Sequence, residues 1–245
     1  MPDRRHSVSV SLWREVVGEL AAAQKPARGV SLWSRFVNRP LGRLLAAGAI
    51  VLGISANGVT AISAVVTLAG FVLLVAVPPA PWLGLVVAIL LVGGFALDSA
   101  DGQVARHTKT GSPAGEWLDH VVDAGKMVAA HTAVLVGWYR FVDLPDAGWL
   151  ALPLAFQLVS VVMYAGGTLA PLLRKGDGAE RAPSTVRATV LLLADYGVFA
   201  ASFATWGWPP LFRWVYLVLA VATTLIAVLL SVRWFRGLRA PQAAR

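Results

Sequence analysis

Four aspartates, Asp98, Asp101, Asp119 and Asp123, are the residues of this sequence best equipped for chemistry. Asp98 and Asp101 are spaced i, i+3, and Asp119 and Asp123 are spaced i, i+4, so each pair occupies one face of a helix. Carboxylates gathered in this way repel one another unless a cation lies between them. Oxygen donors without His or Cys select Mg²⁺, Mn²⁺ or Ca²⁺ rather than zinc, and four of them on two helices can hold two such ions. A pair of divalent cations stabilises both the attacking and the leaving oxygen of an in-line phosphoryl displacement. Gly102 and Gly115 remove side chains beside the carboxylates, which lets a nucleotide or pyrophosphate approach the backbone.

The elements that must position these aspartates are apolar helices. The 245 residues are 57% hydrophobic and only 14% charged, with a mean hydropathy of +0.68, whereas soluble chains carry about 25% charged residues. Disorder is excluded, because disordered chains lack apolar residues. Long stretches nearly free of charge, such as Leu83 to Leu97 and Leu217 to Val232, approach the roughly 20 residues that cross a bilayer. The expected fold is an all-α integral membrane protein with six transmembrane helices. They fall near Gly58 to Val77, Trp82 to Ala105, Trp117 to Tyr139, Gly148 to Leu173, Val186 to Thr205 and Leu211 to Val232. Asp98 and Asp101 then lie at the end of the second span, and Asp119 and Asp123 at the matching end of the third.

Charge sets the orientation. Of the 21 Lys and Arg, 18 fall in the N-terminal segment, the loops after spans two and four, and the C-terminus, which the positive-inside rule places in the cytoplasm together with the aspartates. Six tryptophans (Trp82, Trp138, Trp149, Trp206, Trp208 and Trp214) mark the opposite interface. The net charge of +8 is thereby explained by anionic headgroups, without nucleic acid. With no cysteine, disulfides and thiolate chemistry are excluded. Before the first span, the segments around Trp13 and Trp33 read as helices lying along the cytoplasmic face, the second an amphipathic juxtamembrane helix with Arg35, Arg39 and Arg43 on one stripe. The organisation is a cytoplasmic N-terminal segment over 1–56, a six-helix catalytic domain over 57–235 and a tail over 236–245.

The run Asp98-x2-Asp101-Gly102-x2-Ala105-Arg106-x8-Gly115-x3-Asp119-x3-Asp123 resembles the signature of the CDP-alcohol phosphotransferases, with every fixed position filled. The resemblance implies an integral membrane enzyme of the cell membrane, often a homodimer, that displaces CMP from a CDP-alcohol and transfers the phosphoalcohol to a hydroxyl acceptor in phospholipid biosynthesis. It implies two divalent cations, Mg²⁺ or Mn²⁺, held by Asp98, Asp101 and Asp119, with Asp123 as the base for the acceptor hydroxyl and a further contact to metal. Gly102, Ala105, Arg106 and Gly115 correspond to positions around the nucleotide. Asn57 and Thr60 resemble the family's Thr-Pro-Asn-x-x-Thr entry to the first span, with Ala56 in place of its proline.

Lys126 lies on nearly the same face as Asp123, as a ligand for an acceptor phosphate or as a partner of the acids. Arg174 and Arg187, with Lys175 and Arg181, are candidates for binding a phosphorylated acceptor or are part of the positive-inside bias. Asp195, near the middle of the fifth span, must face protein or water, in a packing role or at an acceptor site. His120 is expected to point away from the acidic face. The implied donor is CDP-diacylglycerol and the acceptor a small polyol or polyol phosphate. The alternatives are a CDP-inositol-dependent enzyme similar to the di-myo-inositol phosphate phosphate synthases and, in another class, an ion-coupled transporter.

Overall fold

A computed structural model describes residues 4–23, 31–173 and 185–239. The described residues are mostly helical and include no strand. Helices α1 (Arg4–Ala22) and α2 (Arg39–Val51) come first, α2 being entered through a π-helical turn at Ser34–Asn38. Three long helices follow, α3 (Ala56–Ala76), α4 (Pro81–Thr108) and α5 (Pro113–Phe141). The remainder comprises α6 (Ala151–Leu173), α7 (Thr185–Val190), α8 (Tyr196–Ser202) and α9 (Pro209–Arg239).

Local sequence accounts for the boundaries. Ser55 caps α3 by accepting a 3.2 Å hydrogen bond from the Gly58 N–H, and the helix stops at Ala76 ahead of Pro78 and Pro79, which cannot donate to a continuing helix. Pro81 opens α4, where its missing N–H costs nothing. α3 packs along both α4 and α5, and α2 along α4. The α2–α4 contact depends on Gly42, since a Cβ there would lie 2.9 Å from Ser99 Oγ. α1 folds over α2, with Val16 and Leu20 buried against the same apolar cluster as Ala46, Ala100 and Val104.

Away from the aspartates, Trp138, Phe156, Phe199, Phe203, Trp206, Phe212 and Tyr216 form a buried aromatic core. His131 sits inside it, with Nδ1 2.6 Å from the Tyr216 hydroxyl and Nε2 3.0 Å from Ser160 Oγ. Both ring nitrogens are therefore satisfied where water is excluded. Large aliphatic side chains on the outside of α3 and α9, among them Val65, Leu68, Val221, Leu225 and Leu229, are exposed, as lipid-facing residues must be.

The expectation of six spans is met in part. α3, α4, residues 147–173 and α9 are long and apolar enough to cross a membrane, and the pair Ala188–Ala194 and Tyr196–Thr205 adds a fifth if counted as one broken span. α5 has the length, 29 residues, but Glu116, Asp119, Asp123 and Lys126 in its first half leave it less apolar than the others. The fifth span, expected to run straight from Val186 to Thr205, is instead bent by 49°. Asp195 at the break is extended (ψ 132°) and caps α8 by accepting a 2.7 Å hydrogen bond from the Gly197 N–H. A carboxylate that caps a new helix start satisfies that helix's free N–H at the cost of ending the previous one.

Candidate active site

The aspartates occupy the two helix ends that meet at the α4–α5 reversal. Lys109 adopts a left-handed conformation (φ 56°), and its N–H and that of Thr110 both return to the Ala105 carbonyl, which closes α4. Ser112 then caps α5 through a 3.1 Å hydrogen bond from the Gly115 N–H, with Pro113 in the first turn. Asp98 and Asp123 each lie roughly 15 Å along their helices from this turn, so a tight reversal brings them level.

Carboxylate oxygens of Asp98, Asp119 and Asp123 all lie within 4.8 Å of one another. Oδ1 of Asp119 is buried with no hydrogen-bond partner among the described residues, a costly arrangement unless a cation is bound there. Asp101, expected in the same ligand set, lies outside this group and is buried beside it. Its Oδ2 accepts a 2.5 Å hydrogen bond from the Thr60 hydroxyl of α3, and its Oδ1 faces its neighbour's N–H, that of Gly102. Thr60 thus competes for an oxygen that the helical spacing alone would assign to metal. Lys126 contacts Asp98 directly and lies 3.3 Å from Asp123 Oδ1 and 3.0 Å from Ser63 Oγ. Three gathered carboxylates with an orphaned buried oxygen are a donor set that fits a hard divalent cation.

A cleft of about 780 Å³ opens beside Asp101 and Asp119. Its walls include Asn57, Thr60, Gly102, Ala105, Arg106 and Gly115, the six residues expected around a nucleotide. Gly115 brings α5 close to α3 at the cleft, since a Cβ there would lie 3.1 Å from Asn57 Oδ1. A smaller cavity of about 60 Å³ is lined by Phe95, Asp98, Asp123, Lys126, Met127 and Tyr196. Asp101 and Asp119 thus line the larger space, and Asp98 and Asp123 the smaller.

Comparison with known proteins places the chain in a family. The sequence model of CDP-alcohol phosphatidyltransferase matches residues 53–226, from the start of α3 into α9. The chain belongs to the CDP-alcohol phosphatidyltransferase family. A search of curated protein sequences gave no match. Among solved structures, this chain is similar to the phosphatidylinositol phosphate synthase PgsA1 of Mycobacterium tuberculosis. One such structure, with CDP-DAG bound, has 22% sequence identity and a TM-score of 0.58, covering 85% of this chain and 99% of that one. Another, in complex with manganese and citrate, has 23% identity and a TM-score of 0.56, covering 81% and 92%. At these identities the likeness is one of fold.

Other residues of the chain fall in places the sequence did not indicate. His120 lines the open cleft rather than pointing away from it, and its Nδ1 lies 3.1 Å from the Tyr164 hydroxyl of α6. Asp195 accepts hydrogen bonds from Ser31 and Ser34, the latter at 2.9 Å, so it ties the approach to α2 to the start of α8. Arg187 falls in α7, while Arg174 lies outside the described residues. Ser63 was legible in principle, because Asn57, Thr60 and Ser63 recur at i, i+3 along one face of α3. Tyr196, with a buried hydroxyl that has no partner among the described residues, carried no sequence signal beyond its place next to Asp195.

Proposed function

We propose that this chain displaces CMP from a CDP-alcohol, CDP-diacylglycerol in particular, and transfers the phosphoalcohol group to a hydroxyl of a small polyol or polyol phosphate in phospholipid biosynthesis. The observation that carries this reading is the gathering of Asp98, Asp119 and Asp123 at a large cleft that Asp119 and Asp101 line. In-line displacement needs the leaving nucleotide and the incoming hydroxyl on opposite sides of phosphorus. The large cleft accommodates the CDP moiety against Asn57, Thr60, Gly102, Ala105, Arg106 and Gly115, and the acceptor approaches from the side of Asp123. The CDP-DAG held by the similar mycobacterial synthase favours that donor.

Asp98, Asp101, Asp119 and Asp123 would hold two divalent cations, Mg²⁺ or Mn²⁺, which when bound offset charge on the phosphoryl oxygens; the manganese in the similar synthase is in keeping with this. Asp123 takes the proton of the acceptor hydroxyl as its oxygen bonds to the β-phosphorus and the bond to the CMP oxygen breaks. Arg106 neutralises departing phosphate charge, and Gly102 and Gly115 let the nucleotide lie close to the helices. Lys126, Arg187 and Arg174 are the candidates for holding an acceptor phosphate. In this reading α5 and the α7–α8 pair both cross the bilayer, giving six spans, and α1 and α2 lie along its surface. The 18 basic residues on the flanks of the spans support a cytoplasmic location for both termini and the site. A homodimer, as in the family, is the proposed assembly.

The test is an assay of the detergent-purified chain with Mg²⁺ or Mn²⁺, with CDP-diacylglycerol or CDP-inositol as donor and a panel of polyols and their phosphates, read as CMP release. Acceptor-dependent CMP release with CDP-diacylglycerol is expected, and release with CDP-inositol alone would favour the soluble-donor alternative. Cation flux in liposomes without CMP release under any condition would sink the transferase reading.

A further inference from the structure

The ammonium group of Lys126 has three N–H donors, and each meets an acceptor on a different helix. These are Asp98 on α4, Asp123 on α5 at 3.3 Å and Ser63 on α3 at 3.0 Å. Ser63 is fully buried and gives its own proton to the Gly94 carbonyl at 2.8 Å, so its oxygen presents a lone pair to Lys126. The close packing that puts Ser63 there requires Gly94, where a Cβ would collide with Thr67 Oγ1. With only 10% of its side chain exposed, Lys126 has a buried charge that is stabilised by these contacts rather than by water. The arrangement is thus a built cation site already furnished with a cation.

We propose that Lys126 is a tethered counter-ion of the carboxylate site, and that a divalent cation enters by displacing its ammonium group from Asp98 and Asp123. The inference rests on the reading of these carboxylates as a metal site. Asp119 Oδ1 is buried without a partner among the described residues, so no protein donor competes for it, whereas Asp98 Oδ1 and Asp123 Oδ1 are engaged by Lys126. A divalent ion using those oxygens must overcome an ion pair that is intramolecular and therefore never diluted. Two consequences follow. The metal-free protein is protected from repulsion among its acids, and divalent affinity is set lower than the carboxylates alone would give.

Mn²⁺ binding to the detergent-purified full chain, measured by the loss of the free Mn²⁺ spin-resonance signal, tests this without any turnover. Lys126→Met should bind Mn²⁺ roughly 10- to 100-fold more tightly than wild type, from removal of one nearby unit charge. Lys126→Arg, which keeps the charge, should stay closer to wild type, and Asp119→Asn should bind far more weakly. Mn²⁺ should also raise the Tm of Lys126→Met more than that of wild type. Affinity unchanged or weakened in Lys126→Met, with saturable binding by wild type that Asp119→Asn abolishes, overturns the counter-ion role and leaves the metal site standing. No saturable binding by wild type, or binding indifferent to Asp119→Asn, overturns the metal site and this proposal with it. Should Lys126→Met not fold, wild-type crystals soaked in Mn²⁺ decide the matter: Nζ is expected to leave both carboxylates, and its retention beside bound Mn²⁺ would overturn displacement.

Discussion

Thr60 on α3 donates a 2.5 Å hydrogen bond to Asp101 on α4, 41 residues away, and both side chains are buried. This contact holds Asp101 beside the group formed by Asp98, Asp119 and Asp123 rather than within it. It also makes α3, which contributes no acid, part of the site.

Replacing Thr60 should therefore reach the chemistry through Asp101. Thr60→Val keeps the shape but removes the donor, leaving a buried carboxylate oxygen short of a partner at a cost of about 1–3 kcal/mol. A lower Tm and a fall in CMP release of about 10-fold are expected, with Thr60→Ser restoring both. Equal loss in Thr60→Ser and Thr60→Val would assign Thr60 a packing role only.

Asp123→Asn should retain the fold and donor binding while CMP release falls by about 10²- to 10⁴-fold, the range for loss of a general base. Chelation with EDTA should silence the wild type, and Mn²⁺ or Mg²⁺ should restore it. A variant releasing CMP at the wild-type rate would remove Asp123 from the base role, and chelator resistance would remove the metals.

Gly115 leaves 3.1 Å between a hypothetical Cβ and Asn57 Oδ1. Gly115→Val should crowd Asn57 on the wall of the cleft, and raise KM for the CDP donor about 10-fold with a smaller change in kcat. A kcat effect without a KM effect would argue against a nucleotide cleft at this position.

Asp195 caps α8 through the Gly197 N–H and accepts hydrogen bonds from Ser31 and Ser34. Asp195→Ala should lower stability by about 1–2 kcal/mol, the typical value of an N-cap, and Asp195→Asn, an equally good cap, should recover most of it. The readout is thermal unfolding in detergent with and without the CDP donor. Full activity in both variants would separate this residue from the acceptor site.

The Asp195 break and the Asp98–Asp123 alignment show how differently two features can be written into one chain. Periodicity of three and four residues fixes which faces of α4 and α5 carry acids, and the turn chemistry of Lys109 to Pro113 brings those faces together. Both are local, so the helical class, the long apolar helices and the acidic pairs were legible without coordinates. In the fifth span the apolar composition of Val186 to Thr205 concealed the interruption. Whether a lone aspartate in such a run stays helical depends on the partners available to it, here Ser31 and Ser34 from a segment more than 160 residues earlier.

The sequence by itself determined the acids, their helical faces and the apolar elements that carry them, because rise, pitch and bilayer thickness act residue by residue. Only the tertiary structure decided how each oxygen is used. Asp101 faces Thr60, Asp98 and Asp123 hold Lys126, and Asp119 keeps an oxygen unpartnered. Hydrogen bonds and ion pairs form over about 3 Å, and which group wins that short distance depends on how α3 packs against α4 and α5, which no spacing within a single helix encodes.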